Sequence, residues 1–97
     1  MVNLTMNDML DQRGQRYGNY AQMAEVIQEL KHVATSPNLG AIHQEALDMI
    51  CTKIGRIITG DPNHIDSWED IAGYATLVVI ELRKRAASGS SPVGGDL

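Results

Sequence analysis

Two acidic pairs stand at helical spacing on either side of a short turn, Glu45-x-x-Asp48 and Asp66-x-x-x-Asp70, with Lys53 and Arg56 between them. Carboxylates bind hard divalent cations, and ammonium and guanidinium groups neutralise phosphate, so these residues in one volume would suit a metal ion and a phosphorylated ligand. For that to happen, two helices must lie side by side and turn these faces towards each other. A bland reading competes with it. Charged residues on outer helix faces usually contact water, and Asp66 and Asp70 would then only stabilise a helix start through its dipole.

Three details bear on the choice. Like charges at i,i+4 repel by a few tenths of a kcal/mol, so Asp66 and Asp70 favour a cation between them. Gly73 lies on the stripe of Asp70 and costs about 1 kcal/mol relative to Ala inside a helix. Tyr74 and Leu77 extend that stripe with surfaces on which a base can stack, although close helix packing through Gly73 explains the same residues. A second candidate region is the turn Gln12-Arg-Gly-Gln-Arg-Tyr-Gly-Asn19, where Arg13 and Arg16 can fork onto phosphate and Tyr17 offers a flat face. It follows no strand and lacks the spacing of either standard phosphate loop.

The elements that must position these groups are read from punctuation and period. A weak helix is expected from Asn3 to about Arg13. A second follows Asn19 as N-cap, with Tyr20, Met23, Ala24, Ile27, Leu30 and Ala34 at three-to-four spacing. Thr35-Ser-Pro-Asn-Leu-Gly40 breaks it. The next runs from about Ala41 to Thr59 on an arc of Ala46, Leu47, Ile50, Cys51, Ile54, Ile57 and Ile58. Pro62 enforces a turn, and a last helix begins near Asp66 with a capping-box-like start and extends to about Ala87. On its apolar side stand Trp68, Ile71, Ala72, Ala75, Val78, Val79 and Leu82. The expectation is all-α, a small antiparallel bundle of about four helices. Residues 1–87 form its one domain and 88–97 a flexible Gly/Ser-rich tail.

At 97 residues the chain can bury only a limited core, so completion by a homo-oligomer is expected. A net charge of −4 provides no basic stripe for a nucleic-acid polymer. No apolar run reaches the roughly 18 residues of a membrane span, and the one cysteine, Cys51, sits in an apolar run. A cytoplasmic protein without a membrane partner is the expectation. The three histidines have no zinc-like spacing.

The string Lys53-Ile-Gly-Arg-Ile-Ile-Thr-Gly-Asp-Pro-Asn-His-Ile-Asp-Ser-Trp-Glu-Asp-Ile-Ala-Gly-Tyr74, with Arg13-Gly-Gln-Arg-Tyr-Gly18, resembles a family of small phage and prophage proteins of unassigned function. More distantly, an acidic helix followed by a turn and Asp-x-x-x-Asp resembles the all-helical nucleotide pyrophosphohydrolases of the MazG and dimeric dUTPase type. That resemblance implies Mg²⁺ held by Glu45, Asp48, Asp66 and Asp70. Asp48 and Asp70 would serve catalysis, and Arg13, Arg16, Tyr17, Lys53, Arg56, Trp68 and Tyr74 would hold a nucleotide. The chain departs from it on the earlier helix, where Glu45-x-x-Asp48 stands in place of Glu-Glu-x-x-Glu. Three functions therefore stay open: a Mg²⁺-dependent pyrophosphohydrolase, a binder that sequesters a nucleotide signal of host defence without cleaving it, and a helical protein-protein adaptor.

Overall fold

The computed structural model describes residues 19–88. They form three α-helices and no strand: α1 (Tyr20–Val33), α2 (Ala41–Thr59) and α3 (Ile65–Ala87). The all-α expectation holds for this region. The helix expected over 3–13, the turn carrying Arg13, Arg16 and Tyr17, and the tail from 89 onwards lie outside the described residues.

Local signals explain the ends. The Asn19 side chain accepts a hydrogen bond from the Gln22 amide at 3.0 Å, satisfying one of the amides a helix start leaves open. At the start of α2, Gly40 supplies extended backbone and its amide donates to His43 Nδ1 at 3.0 Å, so a side chain three residues on caps the helix from within. α3 departs from expectation. Its N-cap is His64, whose side chain makes no capping bond, and Asp66 falls inside the first turn. There the carboxylate favours the helix through the dipole instead of through a cap.

α2 is the central element, packed against α1 on one side and α3 on the other. Ile27 meets Gly55 while Ala34 meets Gln44, so α1 and α2 run antiparallel. Gln44 locks their connection: its amide nitrogen donates to the Ala34 carbonyl at 3.1 Å and to Asp48 Oδ1 at 2.9 Å, and its oxygen accepts from Thr35 Oγ1 at 2.7 Å. Lys53 meets Asp70 across the second packing, and Ala46 shares a recess with Tyr74 and Val78, so α2 and α3 are also antiparallel.

At about 100° per residue, Gly55, Cys51 and Gln44 point to one side of α2, and Ile42, Ala46 and Lys53 to nearly the opposite side. Burial follows from this flat layout. Among the described residues the buried apolar side chains are Met23, Ile27, Ala46 and Cys51, and Ser67 of α3 is buried as well. Desolvation, then the nearby Asp48 charge, raises the Cys51 thiol above its ordinary pKa, which suppresses the reactive thiolate. Much of the isoleucine arc of α2 is only half covered, and Ile58 is exposed.

Candidate functional site

The groove between α2 and α3 collects most of the expected residues. Lys53 Nζ reaches Asp70 Oδ2 at 2.9 Å, with the lysine side chain 13% exposed and the aspartate 47%. The ammonium is thus held nearly out of water while its partner stays free to swing into solvent. Such a half-exposed pair contributes about 1 kcal/mol or less to stability, so its meaning lies in where it puts the positive charge.

Beside the pair, α3 opens a recess of about 350 Å³ lined by Glu69, Asp70, Gly73, Tyr74 and Leu77. A second, of about 440 Å³, lies between Ala41, Ile42, Glu45 and Ala46 of α2 and Tyr74, Leu77, Val78 and Glu81 of α3. Tyr74 and Leu77 belong to both and form the divide. Ile42 and Glu81 were not among the expected site residues. Their signal was the stripe Asp70, Tyr74, Leu77, Glu81 running down α3 at three-to-four spacing, and the apolar first turn of α2 facing it.

Gly73 leaves this surface open. A β-carbon placed there meets nothing within 4 Å, so the close helix packing offered as one explanation for this glycine is absent among the described residues. Gly73→Ala is therefore expected to stabilise the protein by roughly 1 kcal/mol, raising the melting temperature by about 4–8 °C. The same methyl group narrows the recess. A melting temperature that falls in this variant shows instead that Gly73 is packed against another segment or molecule.

The carboxylates expected to share a metal ion are dispersed. Asp48 is half-buried on the α1 side of α2 and accepts the Gln44 hydrogen bond. Glu45 is exposed on the rim of the second recess. Asp66 is 74% exposed, with Oδ2 at 3.8 Å from His64 Nε2. Asp70 is engaged with Lys53. Among the described residues no three or more histidine, cysteine, aspartate or glutamate side chains come together as a metal site. The donor set named for Mg²⁺ does not assemble there, and no step is derived through such an ion.

Trp68 also stands apart. Its indole Nε1 donates to the Pro62 carbonyl at 2.8 Å, and at about 160° around α3 from Asp70 it faces away from the groove. Arg56 is half-buried one turn beyond Lys53 towards the α2 C-terminus. The arrangement therefore offers a sheltered ammonium beside the first recess, an aromatic and aliphatic divide, and carboxylates at the far rim.

A family model for a domain of unknown function, DUF6378, matches residues 4–80, so the chain belongs to the DUF6378 family. No curated protein and no solved structure matches it. The matched region takes in residues 13–18, all of α2 and the groove-lining part of α3 up to Val78. No helix among the described residues is long and apolar enough to cross a membrane.

Proposed function

We propose that this DUF6378 protein binds a nucleotide or nucleotide-derived small molecule in the α2–α3 groove and releases it unchanged. The observation that carries the reading is the sheltered Lys53 ammonium next to the recess opened at Gly73 and walled by Tyr74. Phosphate sits at the Lys53 and Arg56 end, where charge-assisted hydrogen bonds are strongest. The base lies against Tyr74 and Leu77. Glu45 lies about 12 Å along the α2 axis from Lys53 and, with Glu81, accepts hydrogen bonds from sugar hydroxyls or exocyclic amines. Capture without turnover is favoured over pyrophosphate release because the carboxylates that would hold Mg²⁺ are spread over both sides of α2, with Asp48 already bonded to Gln44. The protein acts in the cytoplasm of its host, and a nucleotide signal of bacterial defence is a fitting ligand.

The role of Asp70 separates capture from hydrolysis by the sign of one effect. In the binding reading Asp70 competes with phosphate for Lys53. Asp70→Asn keeps the shape and removes the competing charge, and is expected to tighten binding of phosphorylated nucleotides about three- to tenfold in calorimetry. A metal-dependent hydrolase would need the Asp70 charge, and the same variant would lose both affinity and turnover. Loss in the folded variant overturns the binding reading.

A further inference from the structure

We propose that α3 docks onto α3 of a second copy of this chain, antiparallel, through the seam Trp68, Ala72, Ala75, Val79, Leu82 and Ala86. These residues alternate in steps of four and three, a period of 3.5 that keeps a narrow stripe facing a partner helix. The stripe is turned away from α2. Trp68 is 53% exposed, Val79 42% and Leu82 44%, and the three alanines are exposed with them. With few buried side chains inside the described region, this continuous apolar stripe is left for a partner to cover.

Side-chain size selects both the occupant and the direction. In an antiparallel pair of identical helices, the layers bring Trp68 against Ala86 of the partner subunit, Ala72 against the partner's Leu82, and Ala75 against the partner's Val79. Every layer sets a large group opposite a small one, the interdigitation that native-density packing requires. In a parallel pair Trp68 would meet its own copy while two successive alanine layers left gaps.

Charge points the same way. Glu69 and Arg83 flank the seam on one edge, and among the described residues neither pairs with an opposite charge. The antiparallel register brings Glu69 to Arg83 of the partner subunit, and the two-fold axis makes the contact twice. A parallel register leaves them offset by about 21 Å along the axis. Trp68 is already held in one orientation by its bond to the Pro62 carbonyl, so little rotamer freedom is lost when it is covered. The apolar seam lies on the opposite flank of α3 from Asp70 and Tyr74, while Glu69 stands between the two, at the edge of the seam and on the wall of the recess at Gly73.

The test is sedimentation velocity of the full chain over a wide concentration range, with circular dichroism as a check that each variant is folded. The wild-type chain is expected to be a dimer. Glu69→Arg and Arg83→Glu are each expected to weaken it by about tenfold or more, because each sets two pairs of like charges together. The double variant restores it. Leu82→Glu, at an exposed position, is expected to give a folded monomer. A wild-type chain that is monomeric throughout overturns the proposal, since the seam is then covered by the chain's own remaining residues or by another protein. A dimer indifferent to Leu82→Glu overturns it as well, and a dimer lost in both single reversals without rescue in the double overturns the antiparallel register.

Discussion

Gly55→Val is expected to lower the melting temperature by about 15 °C, from a loss of roughly 3 kcal/mol. Gly55 is buried where α1 crosses α2, and a β-carbon built on it overlaps Cγ1 of Ile27 and comes within 3.1 Å of its Cδ1. The Ile27 side chain is itself buried and has few directions in which to retreat. Valine adds two further methyl groups to a gap that lacks room for one. Alanine gains about 1 kcal/mol in helix propensity and loses more to the overlap, giving a milder defect. Shortening the opposing side chain, as Ile27→Ala with Gly55→Val, is expected to recover part of the loss. Thermal unfolding followed by circular dichroism reads all three variants. An unchanged melting temperature for Gly55→Val would mean that the two helices do not approach here.

Lys53→Met is expected to weaken binding of a phosphorylated nucleotide about 10- to 100-fold, with little change in stability. Methionine keeps the apolar length of the side chain and deletes the ammonium. A charge-assisted hydrogen bond contributes about 1.5–3 kcal/mol to an interaction, which corresponds to this range. The fold tolerates the change because the abandoned Asp70 is 47% exposed and hydrates readily. Calorimetry with the same ligand for wild type, Lys53→Met and Asp70→Asn should rank them with the asparagine variant tightest and the methionine variant weakest. Equal affinity across the three would remove Lys53 from the site.

Helix positions were legible because breakers leave little choice. Asn19, the Pro37 to Gly40 segment and Pro62 stop or start helices for local reasons, and the described helices begin and end within about one residue of the bounds expected from them. The side-chain environment was less legible. A helical wheel puts Glu45, Asp48, Thr52 and Arg56 on one broad stripe, but a wheel does not say where the neighbouring helices stand. With α1 and α3 on nearly opposite sides of α2, the two edges of that stripe part company. Asp48 is drawn towards α1 by Gln44, and Glu45 looks out over the groove beside α3. The pairing of Lys53 with Asp70 follows from the same arrangement, and the sequence indicated only that a cation would favour the acidic pair.

The apolar side of α3 shows the same limit from the other direction. Periodicity marks Trp68, Ile71, Ala72, Ala75, Val78, Val79 and Leu82 as residues that need covering, without distinguishing an internal core from a surface shared with another molecule. In the fold only Ile71 and Val78 of that set are half covered. Ser67, by contrast, is buried at 3% exposure. Burial of a serine has no hydrophobic signature, which is why the pattern did not announce it.

The central claim, that the α2–α3 groove holds a nucleotide-type ligand and leaves it intact, is tested most directly by titrating the full chain with mono-, tri- and cyclic nucleotides in a calorimeter, with and without Mg²⁺, and then separating the ligand from the denatured complex by chromatography. Saturable binding of at least one phosphorylated nucleotide that does not require Mg²⁺ is expected, followed by recovery of the same molecule. Recovery of a cleaved nucleotide with pyrophosphate, or no heat from any nucleotide in the panel, would contradict it.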